Sequence, residues 1–272
     1  MKEVGKLNPI DDIMFRKMAE EKAFCQEILR VILNDDKLVV LESTVQWTGT
    51  NLKGRSVVLD TRCILKDMTL VNIEVQKANN DDSQRRVRYN GAVLTTNNSK
   101  RRSKFKDIPN VTEVFISKFD VFKYGLPIYH IDRTVRETGE VVYNGFEEIY
   151  INSKARNGTA VSELMKVFTE DGAYSERFPV TSKYKKRYKE TKGGRSEMCE
   201  LTMKMWQDGL KEGRKSGLKE GRKSGLKEGR KSGEYGMLNK LIEKGAITPA
   251  VAAESMGIDE AELMRRLKKT VI

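Results

Sequence analysis

Asp60, Glu74 and Gln76 stand in a stretch, residues 56–78 (SVVLDTRCILKDMTLVNIEVQKA), whose apolar residues recur with period two. Val57, Leu59, Thr61, Cys63 and Leu65 alternate with Val58, Asp60, Arg62 and Ile64, and Val71, Ile73 and Val75 alternate with Asn72, Glu74 and Gln76. Strand side chains point to opposite faces in turn, so this pattern predicts two strands with one apolar face. The other face would carry Asp60, Arg62, Asn72, Glu74 and Gln76. A three-residue turn at Lys66, Asp67 and Met68 sets Asp60 across from Glu74. A slightly longer turn sets it across from Gln76. Two carboxylates brought together repel unless a cation lies between them. Mg²⁺ suits such a site, because it prefers carboxylate and water oxygens and needs only one or two protein carboxylates when phosphate supplies the rest. Asp60 and Glu74 would ligate it, a strand carbonyl near Val75 would add a third ligand, and Gln76 would orient the attacking water. The competing reading is a solvated polar strand face on which Arg62 pairs with both acids.

The chain of 272 residues has one histidine, His130, and three widely separated cysteines, Cys25, Cys63 and Cys199. That leaves no ligand set for zinc and no Ser-His-Asp triad. The cysteines are expected to be reduced and buried, and His130 to pack in the core or on an edge strand. Trp47 and Trp206 are read as packing residues. No run of about 18 apolar residues exists, so no transmembrane helix is expected. The first 15 residues lack the apolar core of a signal peptide, which places the protein in the cytoplasm.

The net charge of +12 is uneven. Residues 83–106 hold 8 Lys/Arg and no acid, and residues 181–233 hold 17 Lys/Arg and 7 Asp/Glu. These zones contribute +8 and +10 and leave the remainder at −6. Two basic zones on a nearly neutral body point to a polyanion, with DNA the leading partner. Solubilising lysines are the plainer alternative.

The elements that would position the acids follow from pattern and caps. A helix from residue 8 to about 33, opened by Asn8-Pro9-Ile10-Asp11-Asp12, carries Met14, Met18, Phe24, Ile28, Val31 and Ile32 on its apolar stripe. Asp12 reads as a helix cap, and Glu27 as a surface residue or a further acid. Strands are expected at 38–47, 111–119, 127–133 and 147–152, with helices at 83–97 and 159–168. In the helix after the hairpin, Arg86 and Tyr89 lie one turn apart and Arg88 lies between them. With Lys100, Arg101 and Arg102 in the next loop, they are candidates to hold a phosphate backbone. The element order predicts an α/β core, a mixed sheet flanked by helices.

From residue 182 the composition turns helical and charged and runs into Gly-Leu-Lys-Glu-Gly-Arg-Lys-Ser, given three times over residues 209–232. Each glycine inside a helix costs about 1 kcal/mol relative to alanine, so a lone helix there would be marginal. It reads as a helical stalk, with self-association into a homo-oligomer as one way to stabilise it. Beyond it, Thr248-Pro249 and Asp259 open two short helices separated by Gly257, an outline similar to a helix-turn-helix or a simple helical hairpin. The expected organisation is a core over 1–175, a stalk over 176–235 and a helical tail over 236–272.

Asp60 with Glu74-Val75-Gln76 resembles the PD-(D/E)xK nuclease signature in the variant where Gln replaces Lys. More specifically, the chain resembles the Rpn family of recombination-promoting nucleases, also known as PD-(D/E)xK nuclease family transposases. Besides the hairpin, the matching pieces are Asp12-Ile13-Met14-Phe15-Arg16-Lys17, Arg86-Val87-Arg88-Tyr89, Pro127-Ile128-Tyr129-His130-Ile131 and the glycine-punctuated tail. The likeness spans most of residues 8–240. It implies a restriction-endonuclease-like core with a helical C-terminal extension. It also implies a Mg²⁺-dependent DNA endonuclease, with Mn²⁺ as the substitute ion, linked to recombination or mobile elements. The rival is a DNA-binding or regulatory protein on a degenerate nuclease scaffold.

Overall fold

The computed structural model describes residues 4–51, 54–79 and 81–270. In chain order, helices α1 (Asp12–Ala19) and α2 (Lys22–Ile32) precede strands β1 (Val40–Gly49), β2 (Val57–Leu65) and β3 (Leu70–Gln76). Then come α3 (Ser83–Asn98), β4 (Val111–Ser117), β5 (Ile128–Ile131), β6 (Phe146–Asn152), α4 (Ala160–Thr169) and α5 (Pro179–Glu190). The last three helices are α6 (Lys192–Glu243), α7 (Pro249–Ser255) and α8 (Glu260–Thr270).

The six strands form one mixed sheet in the order β1-β2-β3-β4-β6-β5. β1, β2 and β3 pair antiparallel, β3, β4 and β6 run parallel, and β5 returns antiparallel on β6. A parallel pair needs a crossover, and α3 supplies it between β3 and β4. Helices therefore cover both faces. The larger core lies beneath α1, α2, α4 and α5, where Val71, Ile73, Val75, Val114 and Ile116 meet Phe15, Phe24 and Phe168. The three rings lie with centroids 5.8–6.5 Å apart. Each such ring stabilises the fold by roughly 1.5–3 kcal/mol through burial. The other face holds Val57, Leu59 and Leu70 against Val93 and Leu94 of α3. A Cβ on Gly91 would come within 2.2 Å of the Phe146 ring, so glycine lets α3 sit close to the sheet.

Three sequence expectations change here. The first helix is two helices, broken at Glu20 and at Glu21, whose backbone is extended. The break allows Phe15 and Phe24 to enter one ring cluster from different directions. β2 does not keep one apolar face throughout. Val57 and Leu59 pack under α3, whereas Cys63 and Leu65 pack in the larger core. The change of face falls where the neighbouring β1 carries a left-handed residue, Gln46 at φ 52°, between the Val45–Thr61 and Trp47–Leu59 pairs. A left-handed residue in a strand re-aims the side chains that follow it. Finally, Cys199 and Trp206 are exposed, whereas Cys25 and Cys63 are buried and Trp47 packs beneath α3. His130 is exposed on the edge strand β5.

The chain divides into two compact units, Met1–Met203 and Lys204–Ile272. In the first, α5 is tied in by buried polar contacts. Lys185 Nζ donates to the carbonyls of Val167 (2.8 Å), Ala173 (3.0 Å) and Glu170, closing the C-terminal end of α4. Lys189 Nζ donates to the Leu7 carbonyl at 2.8 Å and pairs with Asp171 at 2.8 Å. Part of the basic charge of residues 181–233 is therefore internal scaffolding. In the second unit, α7 and α8 pack Ala252, Ala253, Leu263 and Leu267 with Tyr235 of α6. Thr248 and Asp259 cap the two short helices. The glycine repeats are helical and exposed. Among the described residues no helix is long and apolar enough to cross a membrane.

Glu27 is neither a free surface acid nor part of the cleft. Its carboxylate accepts from the amides of Val180 (2.9 Å) and Thr181 (2.7 Å) and from the Thr181 hydroxyl (2.6 Å), at the start of α5. Replacing it leaves the first-turn amides without these partners, so Glu27→Ala is expected to cost about 1–2 kcal/mol. Urea denaturation reads this, and an unchanged midpoint would show that α5 does not depend on the cap.

Candidate active site

The turn between β2 and β3 is the three-residue kind. Leu65 and Thr69 face each other through the Leu65 amide and Thr69 carbonyl at 2.9 Å, and Met68 takes a left-handed φ of 68°. The resulting register pairs Thr61 with Ile73 and Arg62 with Asn72. One step further, the ladder changes character. The Asp60 amide donates to Glu74 Oε1 at 3.2 Å, and the Val75 amide donates to Asp60 Oδ2 at 3.1 Å. Two side-chain carboxylates thus stand where strand carbonyls would otherwise accept. β2 parts from β3 there, and both acids are buried beside each other at the edge of a cleft of about 910 Å³.

The register expected from the shorter turn therefore holds. The competing reading, in which Arg62 pairs with both acids, does not: Arg62 bonds Glu42 at 2.6 Å and lies over the Trp47 ring at 5.5 Å. A different arginine meets the acids. Arg16, on α1, reaches Asp60 Oδ1 with Nη2 at 3.2 Å and pairs with Asp12 at 2.6 Å. Asp12 lies in the first turn of α1 and lines the cleft, while Asp11 holds the cap position. The reading of Asp12 as a cap is thus corrected. The spacing of Asp12 and Arg16 at i,i+4, which places both on one helix face, was the available signal.

Burial pushes the Glu74 carboxyl up to about 8, with the charge of Asp60 as the next cause. Burial, then Asp60, pushes Asp12 up to about 6. Behind them lies a third acid that sequence reasoning missed. Glu113 of β4, fully buried and raised well above the usual carboxylate range by that burial, accepts from Asn72 Nδ2 at 2.7 Å. Its signal was only an acid in a strand with no other charged residue.

Acids confined this way, with one arginine between them, have the donor chemistry for a hard divalent cation. Asp60 and Glu74 are the acids that could hold it. Among the described residues no group of three His, Cys, Asp or Glu is disposed to bind a metal. Val75 adjoins them in the cleft wall.

Gln76 lies two residues beyond Glu74, with its amide held at both ends. Oε1 accepts from Arg86 Nη1 at 2.7 Å, and Nε2 donates to the Ala78 carbonyl at 3.0 Å. Arg88 and Tyr89 of α3 also line the cleft, and the Tyr89 hydroxyl donates to the Arg55 carbonyl at 2.6 Å. Arg55 and Arg85 complete its basic rim. Lys100, Arg101 and Arg102 do not line this cleft. They follow the far end of α3, roughly 18 Å along the helix axis from Arg86 at 1.5 Å per residue, and all three are exposed.

The family model of the PD-(D/E)XK nuclease family transposases matches residues 9–167. No curated protein and no solved structure matches the chain. The matched segment contains the sheet, α1 through α3, and every residue named in the cleft.

The raised carboxyls give the cation-free protein a definite pH dependence. A folded-state value near 8 for Glu74, against an ordinary value of 4.5, means that the native state keeps a proton the unfolded chain releases. Its contribution to stability is full below about pH 4.5 and is lost as the pH rises toward 8. In EDTA, stability should decline from pH 5 to pH 8, and Glu74→Gln should flatten that decline and melt higher than wild type at pH 8. Parallel curves for the two proteins would contradict the burial of a titrating Glu74.

Proposed function

This chain belongs to the PD-(D/E)XK nuclease family transposases, and on that premise we propose that it is a DNA endonuclease that hydrolyses phosphodiester bonds in the cleft between α1, β2, β3 and α3. Nucleases of this family generally use divalent metal ions. Mg²⁺ is the ion that the donor set suits best, with Mn²⁺ able to replace it. The observation that carries this reading is the meeting of Asp60 and Glu74, buried, on adjacent strands and facing a basic cleft. A transposase-type family name supports a role at recombination or mobile elements.

In this reading Asp60 and Glu74 bind the ion, with a carbonyl contribution at Val75. When bound, the ion would lower the pKa of a water and neutralise charge that builds on the phosphate. The protein's own groups do the rest. Arg86, Arg88 and Tyr89 hold the phosphate backbone against the wall formed by α3. Gln76 contributes an amide at the place where the water must be aligned. The water oxygen forms a bond to phosphorus as the bond to the leaving-group oxygen breaks. One product end carries the phosphate and the other a hydroxyl. Lys100, Arg101 and Arg102, beyond the other end of α3, take phosphates further along the DNA.

Purified protein with supercoiled plasmid and Mg²⁺ is expected to produce nicked circles. Asp60→Ala and Glu74→Ala should each lower that rate by at least about 10³-fold, the scale of losing the principal charge stabilisation in such a site. Equal nicking by wild type and both variants, or none by any of them with Mg²⁺ or Mn²⁺, would rule the proposal out.

A further inference from the structure

We propose that Arg86 is a catalytic residue that supplies, beside Gln76, the positive charge which a lysine would bring at position 76, and that Gln76 is the positioning residue that aims it. The inference rests on the nuclease reading above and gives Gln76 and Arg86 narrower roles within it.

Four facts of geometry carry it. First, position 76 lines the cleft two residues after Glu74, yet an amide there brings no charge. Second, that amide is fixed with its oxygen on the Arg86 guanidinium at 2.7 Å and its nitrogen on the Ala78 carbonyl at 3.0 Å. A guanidinium has five donors in a planar fork, so one can rest on Gln76 while others address two phosphate oxygens. No other side-chain hydrogen bond of Arg86 is made among the described residues. Third, Arg86 lines the same cleft as Asp60 and Glu74. Fourth, three other cations of the cleft already have acid partners. Lys77, next to Gln76 in the chain, also lines the cleft but pairs with Asp11. Arg16 is held by Asp12 and Asp60, and Arg85 pairs with Asp82 at 3.2 Å.

An arginine that only gripped DNA would weaken binding and cleavage together. One that stabilises the phosphate as charge develops affects the chemical step and leaves ground-state binding nearly intact. It should also be exchangeable with a cation placed directly at position 76.

The experiment measures single-turnover nicking in Mg²⁺ and DNA affinity in Ca²⁺ for wild type, Arg86→Gln, Arg86→Lys, Gln76→Lys and the double variant Gln76→Lys/Arg86→Gln. Arg86→Gln is expected to slow nicking by about 10²-fold while affinity changes less than about three-fold, and the double variant should recover at least about ten-fold of the rate. Arg86→Lys, which keeps the charge, should retain more activity than Arg86→Gln. Equal losses of affinity and rate in Arg86→Gln would overturn the proposal and leave Arg86 as a DNA-gripping residue. So would a folded double variant as slow as Arg86→Gln. Should the double variant not fold, equal rates for Arg86→Lys and Arg86→Gln would decide against it in the same way. Absence of nicking by the wild type would instead remove the nuclease reading, and this inference with it.

Discussion

The structure depends on an exchange of hydrogen bonds at one rung of the sheet. Between β2 and β3, at Asp60 and Val75, the acceptors for two strand amides are carboxylates instead of carbonyls. Buried amides must be paired, so the exchange is tolerated only because both carboxylates reach their donors. Its consequence is electrostatic. Two acids that serve as backbone acceptors cannot swing out to water, and they face each other where solvent screening is weak. Something has to offset that charge. Arg16 does so in part, retained protons do so in part, and a bound cation would complete the balance.

The helices that flank the site serve this requirement from two sides. α1 brings Asp12 and Arg16 in a single turn, and the break at Glu20 and Glu21 lets it do so while Phe15 and Phe24 remain in the same core. α3 approaches from the other face, closely enough that Gly91 has no room for a Cβ. It brings Arg86 onto Gln76 and sets Tyr89 against the loop after β1. Each helix therefore contributes one arginine to one polar residue of the hairpin. A shift of either by one residue would turn its arginine away from the cleft, since successive positions on a helix lie about 100° apart.

The acidic pair was legible because it is local. Period-two alternation fixes the face, and a three-residue turn fixes the register, so the meeting of Asp60 with Glu74 needs no knowledge of the rest of the fold. The mixed sheet flanked by helices was legible for a related reason, since the strand and helix patterns are distinct through residue 169. The competing reading of Arg62 as the partner of the acids fails because alternation says which face a residue shares but not which neighbour reaches it first. Trp47 and Glu42, on the next strand, do. Asp12, Arg16 and Glu113 depend on packing between distant elements, and no short-range pattern encodes how α1 docks on the sheet. The split of β2 between two cores falls opposite Gln46, a left-handed position that no residue type announces.

Charge counting needed the most revision, and the reason bears on the site. Lys185 and Lys189 add to the basic total of the C-terminal region, yet both are buried and spend their protons on carbonyls of the core. A sum over sequence treats them as equal to Arg88 or Lys100, which are exposed. What matters for a polyanion is the order of charge along its path. In the cleft that order runs from acids at the floor, Asp60 and Glu74, to arginines at the wall and rim, Arg86, Arg88, Arg85 and Arg55. Reversed, with arginines deep and acids outside, the same residues would repel a phosphate before it arrived. In the proposed reaction the rim would draw the backbone in while the acids of the floor would take a cation, the two conditions that metal-assisted attack on a phosphodiester requires.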